Sequence, residues 1–177
     1  GEGGLLGIND NQFFDRAEII WEKGTNRSAF FRGEINKYGW VDIGSSFLPS
    51  EVTAAFLWAQ LESLEKIQLK RKWIWDYYDV NICTSNVQKP VIPEYATNNA
   101  HMFYLVCNNL KERKTLINQL NKLGIYAVFH YLSLHKSPFY KSKYKGNSLD
   151  SADSFSNCLV RLPFFYELKE QELNYIC

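Results

Sequence analysis

From Glu51 to about Tyr78 the chain carries neither glycine nor proline. Pro49 stands just ahead of this run, and proline suits a first helical turn, with Ser46 or Ser50 nearby as a possible cap. Ala54, Leu57, Trp58, Leu61 and Leu64 recur at helical spacing within it. The pattern predicts one helix of roughly 28 residues, about 40 Å long. That is long for a lone small domain and natural for a helix joining two. The expected division is therefore 1–48, a connecting helix over 49–80, and a small domain over 81–177.

Upstream of the helix, Leu5 to Ile8 reads as a short buried strand. Asp10 can N-cap a following helix whose apolar face is Phe13, Ala17, Ile20 and Trp21, and Gly24 can close it. Thr25 to Ser46 shows no steady period. A loop of this length inside a compact domain is usually functional, and its aromatics (Phe30, Phe31, Tyr38, Trp40) predict that it packs against something. Downstream, Val80 to Asn99 reads as a loop and His101 to Cys107 as a strand. Lys111 to Leu123 reads as a helix closed by Gly124, and Ile125 to Phe129 as a second strand. A long loop from His130 leads to a short helix over Ser151 to Val160 and an extended segment around Pro163. The fold class is α/β, an α+β fragment built on one small layer. The first 25 residues look like the last strand and helix of another layer. The helical pattern of Lys169 to Cys177 has no closing Gly or Asn. A glycine-rich start can be a cloning remnant, but these ends together lead us to expect a piece of a larger protein.

Composition narrows the function classes. Twenty basic and 19 acidic side chains leave a formal charge of +1, which argues against a nucleic-acid binder. No apolar run approaches the ~18 residues that span a bilayer, and no signal peptide is visible, so no membrane partner and a cytoplasmic location are expected. The four Cys are widely spaced without a CxxC pattern, as for reduced thiols. The three His offer no metal-ligand spacing, and no metal site is expected. Walker, GxGxxG and GxSxG motifs are absent. Lys136, Lys141, Lys143 and Lys145 alternate with Phe139, Tyr140 and Tyr144. Such a loop can grip a phosphate, although it reads more simply as a solvated loop. No nucleophile–base pair emerges from spacing.

Several blocks, in order, carry a resemblance. They are Gly1-Glu2-Gly3-Gly4, Arg16-Ala17-Glu18-Ile19-Ile20, Glu22-Lys23-Gly24-Thr25-Asn26-Arg27-Ser28, Phe31-Arg32-Gly33 and Asp42-Ile43-Gly44-Ser45-Ser46-Phe47. Further along come Ala100-His101-Met102-Phe103-Tyr104, Val128-Phe129-His130-Tyr131 with Leu134-His135, and Arg161-Leu162-Pro163. Together they resemble the DegT/DnrJ/EryC1/StrS sugar aminotransferases, which depend on pyridoxal phosphate and have fold type I. The Gly-Thr-Asn-Arg-Ser and Gly-Ser-Ser blocks most resemble the branch making thymidine-diphosphate 4-amino-4,6-dideoxygalactose.

The resemblance covers the family's C-terminal half: the end of the cofactor domain, the connecting helix and the small domain. It implies transfer of an amino group, from glutamate, to a 4-keto-6-deoxy sugar nucleotide, in a homodimer. It places the Schiff-base lysine ahead of Gly1-Glu2-Gly3-Gly4, so it assigns no catalytic residue here and implies that this chain alone is inactive. Ser46 stands where the wider family has an Asn that reaches the partner subunit's cofactor phosphate, and a hydroxyl can serve that purpose; capping the helix at Pro49 is the alternative. His135 resembles a sugar-pocket histidine, although Ser133 stands where proline is usual; a plain loop histidine is the alternative. Arg27 and Arg32 are candidate pyrophosphate or carboxylate contacts, or else surface ion pairs. A non-enzymatic module for dimerisation or phosphate binding is the competing function.

Overall fold

A computed structural model describes residues 3–177; Gly1 and Glu2 of the opening block lie outside the described residues. The chain forms two compact units, Gly1–Ser63 and Leu64–Cys177. The long helix foreseen over 49–80 is in fact two helices, α3 (Glu51–Glu62) and α4 (Leu64–Asn81), one in each unit. Between them Ser63 leaves helical geometry (φ −104°, ψ 10°), and its N–H turns to the carbonyls of Gln60 and Leu61. Serine is an indifferent helix former, and the absence of glycine or proline gave no warning of the break.

In the first unit, a 3-10 turn (Asn11–Phe13) leads into α1 (Phe14–Trp21), followed by α2 (Arg27–Phe31) and α3. Asp10 accepts from the Gln12 N–H, as its position suggested. Gly24, at φ +76°, closes α1 by donating to the Ile19 carbonyl at 2.7 Å. Ser50, not Ser46, caps α3 by accepting from the Thr53 N–H. Leu5 to Ile8 is not a strand, and Leu5 is 96 % exposed. An isolated strand has no partner for its backbone donors and acceptors, and the unit supplies none. The supposed loop after Gly24 is more ordered than its sequence implied. It contains α2 and two antiparallel bridges, Glu22 to Ser46 and Thr25 to Trp40.

The second unit holds the apolar core. Its four strands are β1 (Val87–Gln88), β2 (Tyr104–Cys107), β3 (Val128–Phe129) and β4 (Leu159–Arg161), in the order β1-β2-β4-β3, all antiparallel. Leu105 lies opposite Val160, and Val160 opposite Phe129. The helices are α4, α5 (Leu110–Lys122), α6 (Asp150–Cys158) and α7 (Glu170–Ile176), with a 3-10 turn over Leu134–Lys136. Asn109 caps α5 by accepting from the Glu112 N–H. Ile74, Tyr78, Phe103, Val160 and Leu173 are fully enclosed. The Phe103 ring meets Trp75 edge-on at 5.4 Å and Tyr78 at 5.2 Å. The Tyr78 hydroxyl donates to the Pro163 carbonyl at 2.8 Å, and burial pushes its pKa up.

Every buried apolar residue among those described lies between Ile74 and Leu173. The first unit buries none, while Phe56, Leu57, Trp58 and Leu61 of α3 are exposed. Those side chains spread over more than half of the helix circumference, a wider apolar face than the single stripe of an ordinary surface helix.

Candidate functional site

In the first unit the candidate residues are organised by Glu22, which directly follows α1. The structure buries it to 8 % exposure, because the chain turns sharply after α1. The turn uses two left-handed residues, Lys23 and Gly24. A Cβ on Gly24 would strike the Asp42 carbonyl oxygen, and a Cβ on Gly44 would strike the Gly24 amide nitrogen. The two glycines thus let segment 42–46 lie directly against the end of α1. Lys23 donates to the Ser45 carbonyl at 3.0 Å, and Ser45 donates to that of Ile20 at 2.9 Å.

The result joins two of the four candidates, Ser46 and Arg27, through Glu22. Ser46 bridges Glu22 through the backbone and stays exposed. The Glu22 carboxylate accepts from Arg27 at 3.3 Å and from the Ser28 hydroxyl at 3.2 Å. The Arg27 guanidinium also covers the Phe31 ring at 5.0 Å. Arg32 is occupied differently. Its Nη1 holds Glu18 at 2.9 Å, and its Nε holds Glu34 at 2.7 Å. The hydrogen bonds that Arg32 donates to Glu34 and then Glu18 raise its pKa, and Arg32 in turn lowers that of Glu34.

His135 lies in the second unit, on the 3-10 turn before α6. Its Nε2 is 3.4 Å from an Asp153 carboxylate oxygen, and both side chains are largely shielded. The other Asp153 oxygen takes Lys136 Nζ at 2.6 Å. The hydrogen bond from Lys136 holds the Asp153 carboxyl below its ordinary range, helped by Ser133 and opposed by burial. The Tyr144 ring stands 5.3 Å from the imidazole. Of the lysines in the proposed phosphate grip, Lys136 is thus taken by Asp153, and Lys143 sits on the Phe139 ring at 3.9 Å.

Glu22 and Asp153 are the residues that spacing did not reveal. Glu22 precedes Arg27 by five positions across a glycine turn, a hint readable only once the turn is known. Asp153 is 18 residues from His135, and no local pattern links them.

The model of the DegT/DnrJ/EryC1/StrS aminotransferase family matches residues 1–177, the whole sequence. The chain belongs to this family. Among curated members, the UDP-4-amino-4,6-dideoxy-N-acetyl-beta-L-altrosamine transaminase of Helicobacter pylori is 24 % identical over 165 residues, covering 92 % of this chain and 43 % of that protein. The dTDP-4-dehydro-2,3,6-trideoxy-D-glucose 4-aminotransferase of Saccharopolyspora spinosa is 26 % identical over 180 residues, covering 98 % of this chain and 46 % of its own. The aminotransferase TlmJ of Streptoalloteichus hindustanus superposes with a TM-score of 0.78 at 18 % identity, over 96 % of this chain and 44 % of that one. This family member therefore shares the fold of part of a fold-type I sugar aminotransferase and spans less than half the length of these relatives. The relatives' names cite sugars other than 4-amino-4,6-dideoxygalactose. Among the described residues no helix is long and apolar enough to cross a membrane.

Proposed function

We propose that this chain is the C-terminal part of a pyridoxal-phosphate-dependent sugar-nucleotide aminotransferase that moves an amino group from glutamate to a 4-keto-6-deoxy sugar nucleotide. The observation that carries this reading is the placement of Ser46. Gly44 against Gly24 fixes the backbone before it, and Ser50 takes over helix capping. An exposed hydroxyl with no capping duty fits a phosphate oxygen of the cofactor. Pyridoxal phosphate, when bound, supplies the electron sink for moving the amino group. Ser46 would hold its phosphate across the interface of a homodimer. Arg27, braced by Glu22 and Phe31, would meet an anionic group of a substrate. Arg32, held by Glu18 and Glu34, would keep the loop in shape beside it. His135 would face the sugar. The Gly-Thr-Asn-Arg-Ser and Gly-Ser-Ser blocks favour thymidine-diphosphate 4-amino-4,6-dideoxygalactose as product. The resemblance assigns no lysine of this sequence to the Schiff base, so turnover is proposed only for the full-length protein.

A second reading, a non-enzymatic module that docks on another chain, draws support from the first unit's lack of buried apolar residues.

A cofactor titration of the full-length protein tests the first reading. One hydrogen bond to a charged acceptor contributes about 1.5–3 kcal/mol. Ser46→Ala should therefore weaken cofactor binding about ten- to a hundredfold, and Ser46→Asn should bind better than Ala. If the alanine variant binds like the parent, Ser46 does not touch the cofactor.

A further inference from the structure

We propose that Asp153 is a positioning residue for His135: it fixes the imidazole as the Nε2–H tautomer and leaves Nδ1 as the nitrogen that accepts a hydrogen bond or proton from a hydroxyl or amino group of the sugar substrate. The proposal rests on the placement of His135 in the sugar pocket.

The geometry supports it in three ways. His135 Nε2 is fully enclosed and has no hydrogen-bond partner, while the Asp153 carboxylate faces it with Oδ1 3.4 Å away. A nitrogen lone pair turned toward an ionised carboxylate would be repelled, so the proton belongs on Nε2. Asp153 is ionised, since Lys136 grips its second oxygen at 2.6 Å and keeps its pKa low.

The frame around the pair is also fixed. The Ser133 hydroxyl donates to the Ala152 carbonyl at 3.2 Å, and that of Ser156 donates to Tyr131 at 3.4 Å. These two bonds tie the segment carrying His135 to the helix carrying Asp153. The Tyr144 ring, tilted by 50°, limits rotation of the imidazole. A carboxylate that sets the tautomer of a working histidine is a recurring device, because the second nitrogen is thereby committed to one role.

The test is a long-range proton–nitrogen NMR spectrum of the full chain labelled at histidine, with His135→Gln to assign the signal. At a pH where the imidazole is neutral, His135 should show a dominant Nε2–H pattern. Asp153→Ala should turn it into a mixture of tautomers, while Asp153→Asn, whose carbonyl still accepts, should preserve it. If Asp153→Ala does not fold, Asp153→Ser, too short to reach the ring, serves instead. A dominant Nδ1–H pattern in the parent, or an unchanged spectrum in the alanine or serine variant, overturns the proposal. The tautomer is read without ligand, so it is independent of the pocket reading. Thymidine-diphosphate glucose, added afterwards, should move the His135 signal. An unmoved signal there counts against the sugar pocket and leaves the tautomer result standing.

Discussion

Gly24 and Gly44 touch backbone to backbone: a Cβ on Gly44 would overlap the Gly24 amide nitrogen and come within 2.7 Å of the Ile20 carbonyl oxygen. This contact seats Ser45 and Ser46 against the end of α1, and the Glu22–Ser46 bridge continues it.

Gly44→Ala should therefore loosen the segment from Glu22 to Phe47. Forcing an extra carbon into a closed contact costs about 1–3 kcal/mol. Limited proteolysis should cut the variant within this segment faster than the parent, and the full-length protein should bind cofactor more weakly. Equal cleavage and equal affinity would show that the contact does not position Ser46.

Much of the second unit was legible in the sequence, and the reasons are local. Gly124 ends α5 in a left-handed conformation, as a stop signal should. The β2 strand lies inside the expected His101–Cys107 segment because its residues alternate between core and the opposite face. The β1 strand escaped notice, since two residues held only by pairing with Val106 and Cys107 leave no periodic trace. The break at Ser63 and the burial of Glu22 were equally invisible. Both depend on where distant backbone lies, and neither residue type announces it. For the candidate residues, the family resemblance did what spacing could not, since Ser46 and His135 stand in no pattern that marks them as ligands.

Acid should release the turn that carries His135. The Asp153 pKa is lower folded than unfolded, so its contribution is present above the ordinary carboxylate pKa of about 3.9. It is lost as pH falls through the depressed folded value. NMR signals of Lys136 and His135 should shift together in that acid range, and Asp153→Asn should abolish the coupled change. Unchanged behaviour in Asp153→Asn would show that the ion pair does not hold the turn.

The chain by itself should self-associate. Phe56, Leu57, Trp58 and Leu61 of α3 are exposed, as are Leu5 and Leu6, and an exposed apolar helix face of this kind is an association surface. Sedimentation velocity across a concentration series should show growth in mass, and Trp58→Glu with Leu61→Lys should reduce it. A monodisperse monomer at high concentration would contradict this.

The most direct test of the account is transamination by the full-length protein that carries this sequence. Supplied with pyridoxal phosphate, glutamate and a thymidine-diphosphate 4-keto-6-deoxy sugar, it should yield 2-oxoglutarate and an amino sugar nucleotide in equal amounts, both read by mass spectrometry. Formation of neither product, with cofactor bound and the protein folded, would contradict the assignment of a sugar-nucleotide aminotransferase.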